Sequence, residues 1–160
     1  MSAVSSVQVG FVGQTVWIRV EGRGTFQNSA GLKQFAAEMQ KRGHRDFVVD
    51  LVDCEIMDST FLGTLAGLAL GLGENGKMTV VRPNARNRGV MENLGLDRIF
   101  TVSDHVPEPL PGQMQRAEPG ALQPARRETI VEAHENLVAA SPENAIRFKD
   151  VLEFLQHKEP

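Results

Sequence analysis

Hydrophobic and polar positions alternate along the first part of the chain. Residues 7–11 and 16–20 each alternate between apolar and polar side chains, and Gly13-Gln14 interrupts the two runs. This period of two predicts a pair of strands joined as an opening hairpin. The spacing then changes to that of a helix, which Asn28 or Ser29 would cap and which would extend to about Arg42.

The most apolar stretch runs from Asp46 to Gly73. Residues 47–52 are almost continuously apolar, which predicts a strand covered on both faces and feeding the helix that follows. Asp58 is a preferred N-cap residue, so Ser59 would be the first helical residue. Its hydroxyl would lie among unpaired amides at the positive end of the helix dipole, where a phosphate is favoured. The alternative is that Ser59 only helps to cap the helix.

The helix predicted from Ser59 to Gly73 is apolar or small on nearly every face. Gly63, Gly67 and Gly71 recur every four residues and form one stripe. Each glycine inside a helix costs about 0.5 to 1 kcal/mol relative to alanine, so three in register indicate close packing of another backbone. The sequence leaves open whether that backbone belongs to the core or to a docking partner. The apolar run falls short of the roughly 20 residues that a membrane span needs.

The next elements alternate between helix and strand. Residues 71–76 match the letters G-x-G-x-x-G, but they close a helix instead of opening one, so we interpret them as a cap and turn. A strand is predicted at residues 78–81, a helix from Asn84 to Gly95 and a last strand at residues 98–102. Two strands followed by alternating helices and strands predict an α/β fold in which helices layer a sheet.

The segment Asp58 to Leu65, DSTFLGTL, follows a VVDL strand and resembles the signature of the STAS domain found in bacterial anti-sigma factor antagonists. The resemblance covers about residues 7 to 103 and implies a mixed β-sheet layered with α-helices. In that family a partner serine kinase, itself the anti-sigma factor, phosphorylates the serine directly after the aspartate. That serine is Ser59 here, and a PP2C-type phosphatase is the implied partner for the reverse step.

The resemblance also implies a partner-binding face around this motif. Its candidate residues lie at the strand-to-helix join, on the glycine stripe and in the loop after the second strand: Asp58, Thr60, Phe61, Gly63, Gly67, Gly24, Thr25 and Asn28. The family's acidic or amide residue in that loop aligns with Thr25, which cannot supply a negative charge. Asn28 would replace it if the loop bends inward.

The composition changes after the STAS-like region. We predict a STAS domain at residues 1–104, a proline-rich linker at 105–127 with five of the chain's eight prolines, and a helical tail at 128–160. Apolar residues and His134 recur at helical spacing in the first tail helix. The tail is too small to hold a core of its own, so we expect it to dock on another surface.

Composition excludes several classes of function. The formal net charge of −3 provides no basic field for nucleic acid. The single cysteine, Cys54, cannot form an internal disulfide, and the N-terminus does not resemble a secretory leader, so we expect a cytoplasmic protein. The four histidines are scattered without metal-ligand spacing and are interpreted as solvated surface residues. We therefore expect no cofactor, no metal and no enzymatic activity.

Two functions remain open at this point. The first is a switch that binds an anti-sigma factor kinase when unphosphorylated and releases it when Ser59 carries a phosphate. The second is a non-phosphorylated STAS module that serves as a regulatory or structural subunit of a lipid or anion transport system. The sequence does not determine the oligomeric state.

Overall fold

The computed structural model describes residues 5–117 and 127–156. Within these ranges the strands are β1 (Ser6–Val12), β2 (Thr15–Gly24), β3 (Asp46–Asp50), β4 (Cys54–Met57), β5 (Lys77–Val81), β6 (Thr101–Ser103) and β7 (Gln115–Arg116). The α-helices are α1 (Ser29–Lys41), α2 (Ser59–Leu72), α3 (Ala85–Asn93), α4 (Arg127–Ala140), α5 (Asn144–Arg147) and α6 (Lys149–Gln156). Short 3₁₀ turns lie at Gly73–Asn75 and Leu96–Arg98.

The described strands form one mixed sheet in the order β6-β5-β3-β2-β1-β7, with β4 pairing to β2. β1 and β2 form the expected antiparallel hairpin, whereas β3, β5 and β6 run parallel to β2 and to each other. β2 is long enough to pair first with β3 and then, through Gly22 to Gly24, with β4. The predicted α/β fold, a mixed sheet layered with helices, is confirmed.

The pairing of β2 with β4 determines where the start of α2 lies relative to the loop after β2. Gly24 and Met57 are partners at the ends of β2 and β4, so the loop after β2 and the start of α2 leave the sheet side by side. The sequence predicts one strand that runs directly into the helix, but β4 lies between β3 and α2. It is only four residues long and buries just its two ends, so it lacks the apolar run that marked β3.

Both faces of the sheet are covered. The main core lies between the sheet and the helices, and its largest fully buried side chains include Phe47, Phe61, Ile18, Leu32, Leu51, Leu62, Leu65, Met91, Leu96 and Leu137. On the opposite face, Val106 and Met114 pack against a smaller cluster around Trp17. These two residues and β7 belong to the segment interpreted as a linker, so the folded sheet continues beyond residue 104.

The last part of the sheet also differs from expectation. A strand was predicted at residues 98–102, but Gly95 adopts a left-handed conformation with φ of 73° and starts a 3₁₀ turn that ends at Arg98. Glycine has no Cβ and tolerates this conformation at little cost. The turn delays the strand, so β6 begins at Thr101.

The tail docks on the domain as expected. Leu137 of α4 is fully buried and belongs to the main core. The buried Asn144 amide donates to the carbonyls of Leu94 (2.9 Å) and Leu137 (2.7 Å), which ties the α4–α5 turn to the end of α3. Across residues 5–117 and 127–156, no helix combines the length and apolar character needed to cross a bilayer.

Candidate functional site

Asp58 joins the start of α2 to the loop after β2. Its Oδ1 accepts from the backbone N–H of Phe61 at 2.9 Å, which confirms the predicted N-cap. Its Oδ2 accepts from the backbone N–H of Phe26 at 2.9 Å, and its own N–H donates to the Gly24 carbonyl at 2.8 Å. One carboxylate therefore fixes the position of two segments around Ser59.

The loop after β2 is held by its own side chains. The Asn28 Oδ1 accepts from the Thr25 N–H at 2.8 Å, and the Asn28 Nδ2 donates to the Arg23 carbonyl at 2.9 Å. Asn28 is buried and makes no side-chain cap to α1. Asn28 precedes α1 at the predicted N-cap position, but its side chain does not cap the helix, because its amide closes the loop. Its role as the substitute for the missing loop acid stays a prediction. Thr25 is half-buried, and its hydroxyl accepts from the Gln27 N–H.

Ser59 is the first residue of α2, as predicted, and is half-buried. Its Oγ lies 2.8 Å from Nε2 of His134 on α4. The other ring nitrogen, Nδ1, lies 2.8 Å from the Ile130 carbonyl, which can only accept. Nδ1 therefore carries the proton in the neutral ring, and Nε2 accepts from the Ser59 hydroxyl.

His134 is the residue of the candidate site that the sequence does not predict. It is only 3% exposed, and its ring meets that of Phe148 edge-on at 5.1 Å. The expectation of a solvated surface histidine is therefore wrong. The signal is present in the sequence, because Ile130, His134 and Leu137 recur at helical spacing and so share one apolar face of the helix.

The remaining histidines differ from His134. His44 is half-buried beside the opening hairpin, where its Nδ1 lies 2.9 Å from the Gln14 carbonyl. His105 is exposed, and His157 lies outside the described residues. In the ranges that the structure describes, no group of three or more His, Cys, Asp or Glu side chains could hold a metal ion.

The glycine stripe lies against α4 over most of its length. A Cβ on Gly63 would overlap the backbone of Ala133, while the Asn136 Nδ2 donates to the Gly63 carbonyl at 3.2 Å. The Asn136 side chain also covers Gly67. Gly71, by contrast, has only the Gln40 amide within van der Waals contact, at 3.7 Å. The close-packing backbone that the stripe indicated is this chain's own tail helix.

Several predicted partner-binding residues are interior. Thr60 is 5% exposed and Phe61 is fully buried, so neither lies on a surface in this conformation. Gly24 packs on the Phe61 ring, where a Cβ would come within 2.7 Å of the ring carbon Cδ1. These residues are therefore part of the core that packs against the strand-to-helix join. Phe26, which was not singled out from the sequence, is 42% exposed beside Asp58.

Cys54 is the first residue of β4 and is buried in the main core, and its carbonyl accepts from the Asn84 and Asn87 amides at the start of α3. Burial raises the pKa of its thiol to about 11, against small opposing contributions from hydrogen bonds with Gly24 and Asn87. The thiol is therefore protonated at neutral pH and is a poor nucleophile.

A buried charge cluster lies at the end of β3. The Asp50 carboxylate is fully buried and accepts from Arg82 at 2.6 Å and from Arg19 at 3.4 Å. Hydrogen bonding to Asp50 raises the pKa of the Arg82 guanidinium. The backbone of Arg82 adopts a left-handed conformation with φ of 55°. This cluster ties β2, β3 and the turn after β5 together.

The layered mixed sheet and the capped serine at the strand-to-helix join define a STAS domain, and the chain belongs to that family. The family model described as "Mlab, STAS domain" matches residues 7–103. That family is a regulatory, non-enzymatic one. Helices α4 to α6 lie outside the matched residues. No curated protein sequence matches the chain.

Solved structures share this fold. An anti-sigma factor antagonist from Mycobacterium paratuberculosis is 22% identical with a TM-score of 0.60, over 66% of this chain and 92% of that one. The unphosphorylated form of the anti-sigma factor antagonist SpoIIAA is 18% identical with a TM-score of 0.55, over 63% and 90%. The NMR structure of the protein TM1081 is 22% identical with a TM-score of 0.55, over 59% and 77%.

Proposed function

We propose that this protein is a phosphorylation-controlled regulator of the anti-sigma factor antagonist kind. In its unphosphorylated form it binds a serine kinase that is also an anti-sigma factor, and phosphorylation of Ser59 ends that binding. A PP2C-type phosphatase would restore the binding form, and the cycle would operate in the cytoplasm. The observation that carries the proposal is the position of Ser59, directly after the Asp58 cap at the start of α2 in a STAS domain.

The local electrostatics support Ser59 as a switch. A phosphate adds about −1.5 to −2 charges to a site that already holds the Asp58 carboxylate. The positive end of α2 tolerates that charge within the fold, whereas a partner pressed against it would have to bury it. Phosphorylation would therefore weaken binding without unfolding the domain. Thr60, the neighbouring hydroxyl, is 5% exposed and is a poor competitor for the kinase.

The test is phosphorylation of the full chain by the serine-kinase anti-sigma factor encoded in the same genome, with ATP, followed by mass spectrometry. We expect one phosphate on Ser59, no phosphate on Ser59→Ala and an unchanged yield on Thr60→Val. Ser59→Ala also loses the hydrogen bond to His134, so its stability should fall by about 1 kcal/mol. A phosphate on Thr60, or none on any variant that keeps Ser59, would contradict the proposal.

One observation favours the second function, a non-phosphorylated STAS subunit of a lipid or anion transport system. The Ser59 hydroxyl is already bonded to a buried histidine, as a structural serine would be. In that case Ser59→Ala should leave binding unchanged, and the protein should co-purify with a membrane permease complex. A kinase-dependent change in binding partners would instead support the switch.

A further inference from the structure

We propose that helix α4 is an autoinhibitory cover that closes Ser59 and the neighbouring face of α2 until it is displaced. The inference rests on the proposed function, because it concerns how a kinase or partner reaches the same site. Its basis is that α4 occupies three successive positions along α2: Ser59, Gly63 and Gly67.

The contact with His134 blocks one side of the Ser59 hydroxyl and occupies its hydrogen-bonding capacity. A kinase must bring the γ-phosphate in line with the attacking hydroxyl oxygen and remove its proton with its own base. The His134 ring, 3% exposed, lies at hydrogen-bond distance from that oxygen. The Ala133 backbone then closes the adjacent turn of α2 at Gly63. A kinase cannot approach the hydroxyl from this side while α4 is docked.

Helix α4 is held by one deeply buried apolar side chain and by several polar contacts. Leu137 is the one large apolar side chain of this fully described helix that is completely buried. Polar contacts add to this packing: the Ser59 hydroxyl donates to His134, and the Asn136 amide donates to the Gly63 carbonyl. The ion pair of Lys33 with Glu132 is about half exposed, and such pairs contribute little. Displacement of α4 breaks these bonds and uncovers Leu137, so the partner that opens the cover must supply the corresponding free energy.

Phosphorylation should reinforce the open state. A phosphate on the Ser59 oxygen would require the space that the His134 ring occupies, so α4 could not return to its docked position. The phosphorylated protein would then differ from the unphosphorylated protein in two ways: it would carry a charge at the start of α2, and its tail helix would be undocked. In the unmodified protein, partner affinity would be reduced in proportion to the fraction of molecules in which α4 is open.

A thiol probe tests the cover without any partner. Three proteins are compared: Ser59→Cys alone, Ser59→Cys with Gly63→Ala, and Ser59→Cys with Gly71→Ala. The alanine at position 63 adds a methyl group against the α4 backbone, and the alanine at position 71 adds the same group at the uncovered end of the stripe. Reaction with the thiol reagent DTNB is followed at pH 8, with the parent protein as the control for buried Cys54. We expect Gly63→Ala to accelerate labelling by about tenfold and Gly71→Ala to leave it unchanged. Equal rates in all three proteins would overturn the proposal.

A reversible lock tests the link to phosphorylation. A Cβ on Gly67 would lie 3.1 Å from Cγ of Asn136, so the two β carbons would be at most about 4.6 Å apart, near the span of a disulfide. The double variant Gly67→Cys/Asn136→Cys is offered to the kinase and ATP in its oxidised and reduced forms. We expect the oxidised form to lose phosphorylation of Ser59 and reduction to restore it.

The labelling experiment and the phosphorylation experiment distinguish failure of the α4 cover from failure of the proposed function. Equal phosphorylation of the oxidised and reduced forms would refute the cover while leaving Ser59 as the acceptor. If no form is phosphorylated, including Gly63→Ala, the proposed function fails. The labelling rates then still decide whether α4 opens and closes over Ser59.

Discussion

The glycine stripe of α2 offers a graded test of how closely α4 is packed. Gly63, Gly67 and Gly71 lie on one face of one helix, and replacement of each by alanine adds the same single methyl group. What that methyl meets differs at each position: the Ala133 backbone, the Asn136 side chain and nearly open space beside Gln40. Differences between the three variants therefore report the packing of α4 and not helix propensity.

The expected magnitudes follow from two opposing terms. Alanine in place of a helical glycine gains up to about 1 kcal/mol from propensity in every variant. At Gly71 nothing opposes the gain, which corresponds to a rise of about 2 to 4 °C in Tm for a chain of this length. At Gly67 the Asn136 amide must swing away and lose its bond to the Gly63 carbonyl, worth about 1 kcal/mol, so the net change should be near zero.

Gly63→Ala should have the opposite sign. Its methyl would lie 2.8 Å from the Ala133 Cα and still closer to the Ala133 carbonyl, and backbone atoms cannot rotate out of the way. Overpacking of this kind costs about 1 to 3 kcal/mol, which exceeds the propensity gain. Release of α4 would also break the bond between His134 and Ser59. Subtraction of the propensity gain of about 1 kcal/mol and addition of about 1 kcal/mol for the lost bond leave a net loss of about 1 to 3 kcal/mol in the free energy of unfolding.

Thermal and urea denaturation give the stability order, and amide hydrogen exchange gives the location of the change. We expect exchange in residues 127–140 to accelerate in Gly63→Ala, while β3 and β5 stay protected. The reasoning would be refuted if Gly63→Ala raised Tm as much as Gly71→Ala and left the exchange of α4 unchanged. That outcome would mean that α4 does not lie on Gly63 in solution.

Three further predictions concern the elements around the site. Asp58→Ala should cost about 1 to 2 kcal/mol in urea denaturation, whereas Asp58→Asn should retain the cap to Phe61 and lose less. Asp50→Ala should destabilise the protein by about 3 kcal/mol, measured the same way, because two arginines lose their buried partner. The pKa of Cys54 in the folded protein is about 11, above the ordinary value of 9.0. The contribution of the protonated thiol to stability is therefore present below pH 9 and is lost as the pH rises towards 11. The free energy of unfolding of Cys54→Ala should fall less steeply than that of the parent protein between pH 9 and 11.

Local signals in the sequence were sufficient for one half of the site. The Asp58 cap, the helical start at Ser59 and the hairpin before them depend on residues close together in the chain, and the structure confirms each of them. His134 is separated from Ser59 by 75 positions and belongs to a different helix. Periodicity could show that His134 faces inward, but only tertiary packing could show what it faces.

The errors in the fold have a similar origin. β4 owes its place to pairing with the end of β2, and β7 to pairing with β1, so neither needs an apolar run of its own. The segment from Val106 to Met114 looked like a linker because it is rich in proline and poor in large apolar residues. Val106 and Met114 nevertheless pack on the second face of the sheet, and the pairing of β7 with β1 holds the end of the segment.

The position of α4 also constrains how any partner could use the α2 face. A partner that binds the face near Gly63 and Gly67 must first displace the tail helix, so partner binding and α4 docking oppose each other by the same free energy. The same exchange would expose Leu137, now fully buried, together with one face of α4. Partner binding should therefore be detectable on the tail itself, as faster amide exchange in residues 127–140. A partner that binds while those residues stay protected must use a different surface, such as the exposed Phe26 beside Asp58.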